Sequence, residues 1–90
     1  MDLETSENTG LKDKFRVTLA EGDFIAYADQ YDKLVIGIII KITAETFRYV
    51  TGDESHTYTH IARTPTEVIQ INNIITEQYK TMLRRKINVG

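Results

Sequence analysis

The sequence predicts a mainly β domain with one C-terminal helix, its four to five short antiparallel strands closing into a small barrel. Three observations carry that expectation. Apolar residues recur at every second position from Lys14 to about Ala62, the period of a strand with one buried face. Clusters such as Glu21-Gly22-Asp23 and Gly52-Asp53-Glu54-Ser55 interrupt the pattern at intervals too short for crossover helices, which excludes a parallel α/β sheet. After Asn72 the spacing of Ile74, Ile75, Tyr79, Met82 and Leu83 becomes helical.

The chain has 90 residues and no Cys, with 41% hydrophobic and 27% charged residues. That is one small domain of globular composition, without a disulfide framework or a thiolate metal site. The N-terminal "MDLETSENTG" is acidic and polar where a signal peptide needs a basic end and an apolar run. A cytoplasmic location is therefore expected. Residues 1–13 read as a flexible acidic tail, 14–71 as the β domain and 72–88 as the closing helix.

Taken in order, Phe15, Val17 and Leu19 share one face of a first half-buried strand. In "DFIAYAD", Phe24, Ala26 and Ala28 oppose Ile25 and Tyr27, and the polar loop "DQYDK" follows. The next segment, "LVIGIIIKI" (Leu34 to Ile42), is too short for a membrane span, which needs ~20 apolar residues. Its β-branched residues and central Gly37 also disfavour a helix. It reads as a strand with Leu34, Ile36, Ile38, Ile40 and Ile42 on one face and Val35, Gly37, Ile39, Lys41 and Thr43 on the other. Gly37 is expected to permit a bend, and Val35 and Ile39 to need a cover from the helix or a partner. "FRYVT" and "HTYTHIA" are two further alternating strands.

Beyond Arg63 two readings compete. Thr64-Pro65-Thr66-Glu67 has the form of a capping box with Pro at the first helical position. On that basis a single long helix would start near residue 65 and pack on an antiparallel sheet. The favoured reading makes "EVIQI" a last short strand and starts the helix at Asn72 or Asn73, because Asn suits an N-cap better than a helix interior.

The segments "GDFIAYA", "LVIGIIIKIT", "FRYV" and "ARTPTEVIQI" resemble the small Src-homology-3-like barrels, including their KOW-like subset, over about residues 14–71. The shared cues are Gly22-Asp23 before a strand, Gly37 within one, and the Arg63-x-Pro65 step into a last short strand. The chain lacks the basic, Gly-rich first loop of the KOW pattern, so nucleic-acid binding does not follow from the resemblance. Small proteins of tailed bacteriophages often have this shape, which implies a phage accessory protein acting in the host cytoplasm. Such barrels host many unrelated roles, so function must be argued from the site.

No catalytic constellation emerges, and the chain is read as a non-enzyme without cofactor or metal. His56 and His60, if on a strand, stand ~13 Å apart, too far to share one ion. Ser55 and His56 are neighbours that would point to opposite faces, and no phosphate-binding or dinucleotide fingerprint is present. Asp29 and Asp32 fit turn chemistry. A protein-binding module is the expected function, with Tyr27, Tyr31, Tyr49, Tyr58 and Ile39 as candidate partner-binding residues. The excess of apolar positions also allows a homodimer. Residues 61–90 carry a balance of +3, leaving −5 for the rest. Arg84 and Arg85 are therefore candidate contacts for a partner or, in the alternative reading, for RNA or DNA phosphates. Their place in the last helical turns equally suits the helix dipole. No membrane partner is expected.

Overall fold

The computed structural model describes residues 11–53, 55–62 and 64–89. Five antiparallel strands form one sheet: β1 Phe24–Ala28, β2 Leu34–Ile42, β3 Phe47–Gly52, β4 Thr57–Ala62 and β5 Ile69–Gln70. A short 3-10 turn, Pro65–Glu67, precedes β5, and helix α1 spans Glu77–Val89. The strand order is β4-β3-β2-β1-β5. The mainly β class with one C-terminal helix is therefore observed. The expected closure into a barrel is not: β4 and β5 end the sheet as opposite edges, and the sheet is open. No described helix is long and apolar enough to cross a membrane.

Both faces of the sheet are covered, which explains a strand apolar on both sides. On one face Ile25, Ile39, Phe47 and Tyr49 pack with Leu19 and Val68. On the other, the helix face, Phe24, Ala26, Ile38 and Val50 pack with Ile71 and with Leu83 of α1. Alternation along β1 and β2 sends successive side chains to these two clusters. Ile39 is fully buried, so its cover is neither the helix nor a partner. It is the chain's own Leu19 and Val68.

β2 changes register against β3 between Ile39 and Lys41. One extra residue there turns the following side chains over. Ile42 thereby packs with Ile39 and Phe47 instead of sharing the face of Ile36, Ile38 and Ile40. The irregularity lies after Gly37, not at it. Gly37 serves close approach: a Cβ there would lie 2.8 Å from the Val50 carbonyl oxygen and 3.1 Å from Tyr49 Cδ2.

The N-terminal segment departs most from expectation. Residues 1–10 of the expected tail lie outside the described residues, but residues 11–13 belong to the fold. Leu11 packs against the first cluster, and Lys12 bridges Thr18. Asp13 is 2% exposed. Residues 15–19 form no strand: Phe15 is 69% exposed, Arg16 takes φ 67°, and only Leu19 is buried. A carboxylate that collects backbone N–H groups competes with ladder formation, and Asp13 does so toward Phe15 and Val17, both at 2.8 Å.

At the C-terminal side the short strand wins over the long helix, as the favoured reading had it. Thr64 makes no side-chain cap, and the turn after it lasts three residues. The helix begins later than Asn72 or Asn73. Asn72 is occupied elsewhere, its Oδ1 accepting the Phe24 N–H at 2.7 Å and its Nδ2 donating to Asp23 at 3.0 Å. Thr76 stands before the helix instead, its hydroxyl accepting the Tyr79 N–H at 3.3 Å.

Candidate functional site

The pairing of β3 with β4 sets Tyr49 opposite His60 and Thr51 opposite Tyr58. Directly opposed residues share a face, so both pairs lie with Tyr27 on the face away from α1. Three of the four tyrosines expected from the sequence are thus brought to one face of the sheet, Tyr49 buried within it. The Tyr27 and Tyr49 hydroxyls lie 2.9 Å apart, and their rings meet edge to face at 5.9 Å. His60 stacks on Tyr49 at 4.9 Å, with its Nε2 3.0 Å from the Thr51 hydroxyl. Tyr58 stacks beside His56 at 6.1 Å and is 53% exposed.

A recess of about 200 Å³ opens beside this shelf, lined by Tyr27, Tyr49, Ala62, Thr64, Glu67 and Val68. The 3-10 turn supplies Glu67 and, just after it, Val68. One wall is therefore aromatic, the floor aliphatic and the rim acidic. Burial, then the hydrogen bond with Tyr27, pushes the Tyr49 phenol well above its ordinary value. It stays neutral throughout the physiological range. The shelf therefore offers ring faces and hydroxyls, with Glu67 as the charged group at its edge.

The other expected residues fall elsewhere. Tyr31 is exposed in the turn between β1 and β2, its N–H bound to Asp29 Oδ1 at 2.8 Å. Asp29 also accepts the Lys33 N–H, so it organises that turn. Ile39 is buried and is no contact residue. The Arg84 guanidinium lies 5.4 Å from the centre of the Phe24 ring, with the Lys80 ammonium at 5.8 Å, so both basic groups pack onto the core. Arg85 is exposed and borders a groove with Ser55, Thr57, Glu77, Thr81 and Lys86.

Lys86 is buried and donates to the His56 carbonyl at 2.7 Å and to the Thr57 hydroxyl at 3.3 Å. Asp53 Oδ1 receives the Ser55 and His56 N–H groups, which hold its carboxyl below the usual range. These residues build the loop between β3 and β4. Among the described residues, no three metal-ligating side chains come together.

Sequence reasoning missed His60, Glu67 and Val68. His60 could have been placed by pairing "FRYVT" with "HTYTHIA", which puts Tyr49 opposite it. Glu67 and Val68 carried no such signal, because their position depends on the turn before β5. Arg63 of the Arg-x-Pro step lies outside the described residues.

Residues 11–71 match a family model described as a domain of unknown function, DUF7205. No curated protein and no solved structure matches the chain. The matched span contains the whole shelf and its recess and ends before α1.

Proposed function

Since the chain belongs to the DUF7205 family, whose function is unknown, we propose from the shelf itself that it is a non-enzymatic protein-binding module. The ligand is an extended segment of a partner protein, with an apolar side chain in the recess and a basic one opposite Glu67. The observation that carries this reading is the convergence of Tyr27, Tyr49 and His60 beside a recess rimmed by Glu67. Rigid aromatic walls receive extended peptides at low entropic cost. The strand order, with a 3-10 turn before a short last strand, supports the resemblance to Src-homology-3-like barrels in topology, though the sheet itself is open. That resemblance in turn supports a phage accessory protein that engages a host or viral protein in the cytoplasm.

The nucleic-acid alternative rests on the basic helix end and draws less support. Lys86 is buried against the loop before β4, and of the two exposed arginines Arg84 is laid over Phe24, so the cluster offers phosphates less than its three charges.

Capture from a nuclease-treated lysate of the native cells tests the proposal, comparing immobilised wild type with Glu67→Lys. Glu67 is exposed, so the variant is expected to keep its circular dichroism spectrum. Retention of a specific protein by the wild type alone is the expected result. Equal retention by both, or capture only of nucleic acid when nuclease is omitted, overturns the proposal.

A further inference from the structure

The two edges of the sheet are treated differently. β5 is two residues long, and the N-terminal segment lies along it. Gln70 N–H donates to Asp13 Oδ2 at 2.8 Å, and Lys14 N–H donates to the Val68 carbonyl at 2.8 Å. At the opposite edge, β4 runs for six residues as "TYTHIA". Among the described residues, its backbone bonds only to β3. Natural edges are blunted by charges, Pro, bulges or covering segments. β4 contains no Lys, Arg, Asp, Glu or Pro, and its pairing with β3 has no register shift. Its outward side chains include Tyr58 and Ile61, which is 60% exposed.

We infer that β4 is the dimerisation strand: a second copy of the chain pairs with it antiparallel about a two-fold axis, joining the two sheets into one. Charge selects this occupant. An uncharged strand gives a foreign segment no charge to be recognised by, whereas two copies of "TYTHIA" meet with no like-charge contact between them. Self-pairing about a two-fold axis is also complementary by construction. Tyr58 and His60 of one copy join those of the other on the shelf face, while Thr59 and Ile61 join theirs on the helix face. Arg48, opposite Ile61 on β3, is one strand further in. The two Arg48 side chains therefore stand at least three strand spacings apart, about 14 Å, beyond the Debye length of about 8 Å at physiological salt. The recess is lined from β1, β3, the turn before β5 and, on β4, Ala62, and His60 of the shelf lies on the pairing strand itself, so the two readings share β4 and are told apart by their variants.

Sedimentation velocity up to high micromolar concentration tests it. Wild type is expected to sediment as a dimer, and Thr59→Lys/Ile61→Lys as a monomer. Because the native chain has no Cys, engineered single cysteines give a second readout that does not depend on the folding of the charged variant. Of Thr59→Cys alone, Ile61→Cys alone and the two mixed, the combination that the two-fold register sets directly opposite is expected to form covalent dimers under mild oxidation. Ala44→Cys, in the turn between β2 and β3, is expected to form none. A monomeric wild type, a dimeric charged variant, or equal cross-linking at position 44 overturns the inference. Glu67→Lys leaves this edge unaltered, so failure of capture and failure of dimerisation are read separately.

Discussion

Asp13 and Gln70 are joined across 57 positions of sequence by one hydrogen bond, the Gln70 N–H donating to Asp13 Oδ2 at 2.8 Å. The other carboxylate oxygen accepts from Phe15 and Val17. A single buried side chain therefore shapes the 13–17 turn and fastens it to the edge of β5. Replacing it by Ala strands three backbone donors. Leaving part-buried donors of a charge-assisted network unsatisfied costs roughly 1–3 kcal/mol. Urea unfolding of Asp13→Ala is expected to show a loss of that order. Asp13→Asn, which keeps only one acceptor oxygen, should fall between it and wild type. A loss no larger than that of an exposed surface substitution would refute this role.

Gly37 pairs with Thr51 where β2 runs beside β3. A methyl group there would crowd the Val50 carbonyl oxygen at 2.8 Å and Thr51 Cγ2 at 3.0 Å. Backbone oxygen cannot swing aside as a side-chain tip can, so the two strands must shift. Overpacking of this kind typically costs about 1–3 kcal/mol. Gly37→Ala is expected to lower the urea midpoint by an equivalent amount without changing the m-value. A neutral substitution would mean that the strands separate freely at this point.

Where period and turn chemistry decide structure, the sequence was sufficient. The four strands from Phe24 to Ala62, the short strand after the 3-10 turn and the C-terminal helix all followed from alternation, Gly and Asp clusters and helical spacing. Two of the errors come from a polar side chain engaged away from its expected role. Asp13 took the backbone groups that alternation had assigned to a strand. Asn72 was drawn to Phe24 and Asp23 and so could not cap the helix. The register shift after Ile39 leaves no mark in an all-isoleucine run, so Ile42 was placed on the wrong face. At the site, the tyrosines were legible as aromatics on or beside the strands, Tyr49 buried and Tyr27 half-buried. Their grouping depended on the β3–β4 register, and the recess on the path of the chain between Ala62 and Val68.

Tyr49 links the shelf to pH. Its phenol is held neutral in the folded protein, mainly by burial and then by the hydrogen bond with Tyr27. In the unfolded chain the same group ionises near its ordinary value of about 10. The folded value is the higher, so the contribution to stability is complete below about pH 10 and declines as pH rises above it, because only the unfolded state releases the proton. Unfolding free energy is expected to fall above pH 10 in the wild type. Tyr49→Phe should remove that part of the slope, at a cost near neutral pH of about 1 kcal/mol for the lost hydrogen bond. An identical alkaline slope in both proteins would exclude Tyr49 as its source.

Lys86 couples the helix to the loop before the edge strand. Its ammonium donates to the His56 carbonyl at 2.7 Å and to the Thr57 hydroxyl at 3.3 Å, and the side chain is buried. Lys86→Met keeps most of the aliphatic stem against the helix face while removing both donated bonds. Without the ammonium, the His56 carbonyl loses its partner and residues 55–57 lose a tie to α1. The substitution is therefore expected to cost about 1–3 kcal/mol. It should also raise amide exchange at Ser55, His56 and Thr57 more than at β1 or β2. Arg84→Met should behave differently, because Arg84 lies over Phe24 and loses a cation–π contact worth about 1 kcal/mol without loosening that loop. Should the two variants speed exchange at 55–57 equally, Lys86 is not the tie between the helix and the start of β4.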